Sequence, residues 1–452
     1  MIKILRKLKP PQIVVISFLC AIFVGTILLS MPLASRAGER MPVIDSLFTA
    51  ASATCVTGLV VRDTGAYFSE FGKLTILVLL QIGGLGIMTF STLFAVLLGK
   101  KLTIKEDLVI QRTMVTSKVQ NLATLIKYII FITLGIEFFG AACLALRWTQ
   151  IVDWPFSKII MSSIFHSVSA FCNAGFSLFP GSFSVFSGDI YINLTMIALI
   201  VLGSIGFVVI MELPRFAKKR NLRHISLQSK VVLTVSLSLI LIGALLFFLV
   251  EQNNTMAGLS LKEKVLGSLF QSTTARTAGF NTLSIGRLAP PTLCLLMFLM
   301  FIGASPGSTG GGIKTCTFGV ILATLFSMLK NRDRVSMFKR TIPKEVVRKS
   351  LVVLLLALVW IFAATFLISI VEYKRMAQID NFFLRMLFEI TSAFGTVGLS
   401  TGITSALGTM GKLILIFTMF VGRVGPLTLA LAIALQHDKI SYVYPEEKMM
   451  IG

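Results

Sequence analysis

Charge is scarce in this sequence. Of its 452 residues 14% are Asp, Glu, Lys or Arg, and only 20 are acidic. A soluble chain of this length cannot hide the 55% that are hydrophobic, because much of any globular surface must face water. Histidine is scarcer still: His166, His224 and His437 lie far apart, and His166, which opens a short polar run, reads as structural. No cluster of His, Asp and Glu, and no serine beside a base, lies within the apolar stretches, so a membrane enzyme is disfavoured. The cysteines, Cys20, Cys55, Cys143, Cys172, Cys294 and Cys316, show no metal-ligand spacing and read as small core residues. No Gly-x-x-x-x-Gly-Lys-Ser/Thr string occurs, so the chain lacks a phosphate loop with which to hydrolyse ATP.

What is abundant is long apolar runs. Stretches of roughly 20 residues, enough to cross a hydrocarbon core, recur at Ile13 to Leu29, Leu74 to Leu98, Tyr191 to Met211, Val231 to Val250 and Leu351 to Val371. The mean hydropathy is +0.87. The first 35 residues imitate a secretion signal, but the apolar runs that follow make them an uncleaved first helix. The net charge of +22 does not mark a nucleic-acid binder, because Lys and Arg gather at the ends of the apolar runs. They cluster at Lys3 to Lys9, Lys100 to Lys127, Arg215 to Lys230 and Lys330 to Lys349. The positive-inside rule puts all four clusters, and the N-terminus, in the cytoplasm.

A search for internal repeats decides the architecture. Four segments share one pattern: LFTAASATCVTGL from Leu47, IFHSVSAFCNAGF from Ile164, LFQSTTARTAGF from Leu269 and LFEITSAFGTVGL from Leu387. The third is one residue shorter between its Phe and its Gly. Each is too short and too polar to span a membrane, and each lies between two apolar runs. The implied unit is a spanning helix, a half-crossing helix with a loop, and a second spanning helix. Units are expected at 1–100, 122–214, 228–330 and 346–435, with a cytoplasmic tail at 436–452. Because the basic clusters fall between units, the four are parallel repeats. The expected fold is all-α: eight spanning helices and four re-entrant pore helices around a pseudo-fourfold axis.

A helix ending inside a bilayer is tolerated only where its loop lines a watery cavity. Four such loops around an axis turn their carbonyls into a cation site, as potassium selectivity requires. The tetrads are Cys55-Val56-Thr57-Gly58, Cys172-Asn173-Ala174-Gly175, Arg276-Thr277-Ala278-Gly279 and Gly395-Thr396-Val397-Gly398. Glycine supplies backbone conformations closed to other residues. The C-terminal dipole ends of the short helices favour a cation. Potassium ions are the metal expected on these carbonyls.

Gly303 to Thr315, GASPGSTGGGIKT, interrupts an apolar run. Pro306 and Gly310-Gly311-Gly312 cannot sustain a helix, so this segment is either a movable gate or a rigid kink at membrane depth. Unit 3 carries the strongest break, which counts against an alternating-access transporter, whose broken helices come in pairs. Arg423 lies within the apolar run Leu413 to Leu435 and either faces a cavity or snorkels to the interface. Lys314 either acts with it or anchors the segment. Asp45 reads as a cap of the first short helix. Glu137 and Glu389 either pair structurally or act on the ion path. Asp63, Glu70 and Asp380 would draw cations to the outer mouth.

The four loops, GASPGSTGGGIKT and GRVGP at Gly422 together resemble the Trk/Ktr/HKT superfamily of potassium transporters, most closely the bacterial Ktr membrane subunit. The resemblance spans essentially the whole chain. It implies that Gly58, Gly175, Gly279 and Gly398 are filter glycines, with Gly in place of Ser favouring potassium over sodium. It implies that Gly310 to Gly312 gate the pore, with Arg423 below the filter as a barrier to cations. It also implies no covalent cofactor, transported potassium, activating sodium and a homodimer in the inner (plasma) membrane with both termini cytoplasmic. A cytoplasmic nucleotide-binding ring carrying ATP or ADP would dock on the basic segments Arg215 to Arg223 and Arg332 to Arg340. Membrane lipid competes for the same charges.

Overall fold

The computed structural model describes residues 10–85, 122–219, 225–376 and 378–433. The basic segments 3–9, 86–121 and 220–224 and the tail 436–452 lie outside them.

Each unit opens with a long helix: α1 (Pro10–Ser30), α4 (Leu122–Ile151), α8 (Leu227–Glu251) and α12 (Lys344–Met376). These four are long and apolar enough to cross a membrane. Their outer faces carry bare apolar side chains, such as Phe131, Phe138, Leu245, Phe362 and Phe366. Large exposed aromatic surface on helices of this length is suited to lipid rather than water. α1 is built into unit 1, with Phe18 and Ile22 buried in the same core as Phe48 and Leu80.

A short helix follows in each unit: α2 (Val43–Thr54), α5 (Phe156–Phe171), α9 (Leu261–Thr274) and α13 (Phe382–Gly395). At 12 to 16 residues none can span a bilayer. They begin where sequence dictates. Pro42 and Pro155 fix the entry of the first two, and Ser260 with Glu263 forms a capping box for the third. Asp45 does not cap α2. Pro42 holds that position, and Asp45 is buried within the first turn, paired with Lys412 at 2.6 Å and Arg62 at 3.3 Å.

The second helices differ from expectation. α3 (Glu70–Gly84), α6 (Ile190–Ile205), α10 (Pro290–Phe301) and α14 (Thr409–Val424) have 12 to 16 residues each. Eight continuous spans are therefore not present among the described residues. The helix of unit 2 bends by 107° into α7 (Phe207–Lys219). Its hinge is Gly206, at φ +91°. In unit 4 the same break falls at Gly425, also at φ +91°, before α15 (Pro426–Ile433). In unit 3, residues 302–314 separate α10 from α11 (Thr315–Leu329). The break expected chiefly of unit 3 is thus shared by units 2, 3 and 4. The physical cause is local: at the matching register Gly206 and Gly425 adopt a left-handed backbone that ends the helix.

Three glycines explain how the second helices seat. A Cβ on Gly83, Gly203 or Gly422 would run into the carbonyls of Thr54, Phe171 and Phe394, at the ends of three short helices. In unit 3 the matching Gly303 instead faces Gly311 of its own broken segment. Gly203→Ala should cost about 1–3 kcal/mol by overpacking. A lower melting temperature of the purified protein in detergent is the expected reading, and an unchanged one would refute that seating.

Candidate ion-conduction site

The four loops close a ring. A Cβ on Gly58 would meet the carbonyl of Ala174, one on Gly175 that of Ala278, one on Gly279 that of Val397, and one on Gly398 that of Thr57. Each glycine therefore packs against the third residue of the next tetrad, in chain order, and the fourth loop returns to the first. All four glycines have positive φ, from +70° to +95°. So do Val56, Asn173, Thr277 and Thr396, the second residue of each tetrad, at +50° to +77°. A non-glycine residue in that region is uncommon and marks a constraint imposed by its surroundings. Here it recurs at one register in four loops.

The ring's carbonyl oxygens stand out by what they lack. Val56, Thr57, Asn173, Ala174, Thr277, Ala278, Thr396 and Val397 are fully buried. No described residue donates a hydrogen bond to their carbonyls. Buried backbone carbonyls are nearly always paired, so a ring of unpaired ones is exceptional. Outside it the four glycines line one cavity of about 420 Å³. Of the acidic residues expected at this mouth only Asp63 lines it; Glu70 pairs instead with Lys73 at 2.9 Å.

One Ser or Thr per short helix clamps each loop from behind, through its carbonyl or its hydroxyl, a feature the sequence reading missed. The Ser52 carbonyl accepts from Thr57 N–H at 2.8 Å, and its hydroxyl accepts from Gly58 N–H at 3.1 Å. Ser169 accepts from Ala174 at 2.7 Å, and Ser392 from Val397 at 2.9 Å and Gly398 at 3.1 Å. In the shorter third loop the Thr274 carbonyl accepts from both Ala278 and Gly279. The signal was there: each clamp is the fourth residue after the shared Phe.

The broken segment of unit 3 lies against three of the loops with three consecutive residues. The Thr309 hydroxyl is 3.0 Å from the Asn173 amide. A Cβ on Gly310 would collide with Thr277. The Gly311 N–H donates to the Thr396 hydroxyl at 3.0 Å. The partners are the left-handed second residues of tetrads two, three and four. Gly312, at φ +67°, turns the chain back against Gly303. Lys314 Nζ donates to the Gly310 carbonyl at 2.7 Å. The Arg423 guanidinium is buried and donates to the carbonyls of Thr309 and Gly83. It does not snorkel; it ties unit 4 to the segment of unit 3 and to the second helix of unit 1.

Other charged residues have structural partners. Arg276 is buried and donates to the Ser236 carbonyl and hydroxyl on α8. Glu137 accepts from the Gln81 amide at 3.1 Å. His166 stacks on Phe179 with centroids 4.3 Å apart. Of the cysteines only Cys55 and Cys172 are buried core residues; Cys20 and Cys294 are exposed, and all six are free.

The family model described as "TrkH: Cation transport protein" matches residues 6–443. The chain belongs to the TrkH family. TrkH-family proteins are transporters, not a class of enzymes, and with its long apolar helices this member is an integral membrane protein. It is 38% identical to the Ktr system potassium uptake protein B of Bacillus subtilis, over 99% of this chain and 97% of that protein. It is 37% identical to the protein of the same name from Vibrio alginolyticus, over 98% of this chain and 95% of that one. The potassium/sodium uptake protein NtpJ of Enterococcus hirae is 35% identical, over 100% and 99% of the two chains. The solved structure of the potassium transporter TrkH from Vibrio parahaemolyticus shares the fold, with a TM-score of 0.66 at 20% identity, covering 92% of this chain and 84% of that one.

Proposed function

We propose that this chain is the potassium-translocating membrane subunit of a Ktr-type uptake system. The observation that carries this is the closed ring of buried, unpaired carbonyls around four glycines. Val56 to Gly58, Asn173 to Gly175, Thr277 to Gly279 and Thr396 to Gly398 supply the filter, whose oxygens replace the ion's water shell. Gly310 to Gly312, with Lys314 and Arg423, form the gate beneath it. Uptake is driven by an inside-negative potential, worth ~2.3 kcal/mol per charge per 100 mV. The protein works in the plasma membrane as a homodimer with cytoplasmic termini, and sodium activates it. A cytoplasmic nucleotide-binding ring, which carries the ATP or ADP, controls the gate. One docking element for it is the exposed turn between β1 (Ser336–Met337) and β2 (Arg340–Thr341), which presents Lys339 and Arg340.

The test is rubidium flux into liposomes holding the purified chain, with and without sodium outside. We expect flux that potassium blocks and sodium blocks weakly. Equal block by both ions would favour a potassium/sodium pathway, as in the name of the Enterococcus relative. No flux, together with no rescue of a strain lacking potassium uptake, would overturn the proposal.

A further inference from the structure

The residue that follows the shared Phe of each short helix is polar in all four units: Thr49, His166, Gln271 and Glu389. All four are buried. In three units this side chain reaches across to the strand that leaves the filter glycine. Glu389 Oε1 accepts from the Thr401 N–H at 2.8 Å, the Thr401 hydroxyl at 3.0 Å and the Ser400 hydroxyl at 2.8 Å. Its Oε2 accepts from the Thr404 hydroxyl at 2.6 Å. His166 Nε2 accepts from the Leu178 N–H at 3.1 Å, while Nδ1 lies 2.7 Å from the Ser162 carbonyl, which sets the neutral tautomer. With its amide oxygen facing the loop, Gln271 accepts from the N–H groups of Thr282 at 3.1 Å and Leu283 at 3.2 Å.

Unit 1 is the informative exception. Thr49 is too short to reach, and its hydroxyl bonds back to the Asp45 carbonyl at 2.9 Å. One helical turn earlier, Asp45 takes over and holds Arg62, four residues past Gly58, at 3.3 Å. The same mechanical task is thus met in four units by four chemistries: carboxylate to guanidinium, imidazole, amide, and carboxylate to hydroxyls.

We infer that Glu389, Gln271 and His166 are positioning residues for ion selection, each fixing the strand beyond its filter glycine from one register of the short helix. The inference rests on the proposed filter. Its reason is geometric. Each glycine touches the neighbouring loop, so the ring's diameter depends on where four outgoing strands are held, and the Ser/Thr clamps reach no further than the residue after the glycine. Glu389, with four bonds onto one strand, should matter most.

The discriminating experiment compares Glu389→Ala, Glu389→Gln and Thr404→Val in the liposome assay. We expect Glu389→Ala to lower potassium preference over sodium about tenfold, equivalent to ~1.4 kcal/mol, with a smaller change in maximal rate. Glu389→Gln should restore most of the preference, because its oxygen still accepts from Thr401 while the charge is gone. If Gln is as damaging as Ala, Glu389 acts as a charge and the inference fails. If the alanine variant reaches the membrane with unchanged selectivity, it also fails. Should that variant not accumulate, Thr404→Val decides: reduced selectivity supports the brace, and wild-type selectivity overturns it. Absence of selective flux in the wild type would instead sink the filter reading itself.

Discussion

Replacing Gly398 by serine is expected to let sodium compete with potassium about tenfold better, a loss of ~1.4 kcal/mol of discrimination. Gly398 has φ +95°, where a side chain costs of order 1–3 kcal/mol. Its Cβ would also strike the Thr57 carbonyl and come within 3.0 Å of the Gly58 Cα. Strain and collision act together on the seam between the fourth and first loops, and the oxygens there must move. Gly402 separates the two effects. It has the same φ of +95° and lines the same mouth, yet a Cβ there meets nothing within 4 Å. Gly402→Ser should therefore leave selectivity near the wild-type value. Rubidium uptake at rising external sodium measures both, and matching selectivity in the two variants would show that the ring's contacts do not set it.

Arg423→Gln should raise uptake in the absence of the regulatory partner, again by about tenfold, the change given by ~1.4 kcal/mol. The guanidinium binds two backbone carbonyls in a buried place, and charge-assisted bonds of this kind are worth roughly 1.5–3 kcal/mol each. One of those carbonyls belongs to Thr309, whose hydroxyl also bonds the Phe171 carbonyl at 3.2 Å and the Gly203 carbonyl at 3.1 Å. Losing the arginine frees one end of the segment and, on the proposed reading, removes a positive charge beneath the filter. Deleting Gly310 to Gly312 removes the contacts with Thr277 and Thr396 and should act in the same direction. Basal flux unchanged in both variants would leave the segment a rigid kink.

The four loops were legible because their backbone tolerates few residues: each tetrad ends in a glycine at positive φ. The long first helices were legible because lipid demands continuous apolar length. The break at Gly206 was not, since no proline adjoins that glycine in its apolar run, whereas Pro306 and three consecutive glycines mark unit 3; at Gly425 the following Pro426 was a signal that went unread. Asp45 illustrates another limit. Its position near a helix start suggested a cap, but its partner Lys412 lies 367 residues away and no local pattern encodes that pairing. The braces at His166, Gln271 and Glu389 were missed because each residue type invites its own story. Only the contacts show that in three units this one register position reaches the segment beyond the glycine.

That distant pair has a consequence for how the molecule is made. A ring of four units drawn from a linear chain has three seams between neighbours and one between its ends. The closing seam joins α2 to α14 through Asp45 and Lys412, and Gly398 to Thr57. During synthesis the first short helix has Arg62 as the one cation for its buried carboxylate, and the second, Lys412, arrives only when nearly the whole polypeptide has emerged. A chain stopped before unit 4 thus leaves the ring open at this seam, with Asp45 holding one of its two cations and Thr57 without its neighbouring glycine.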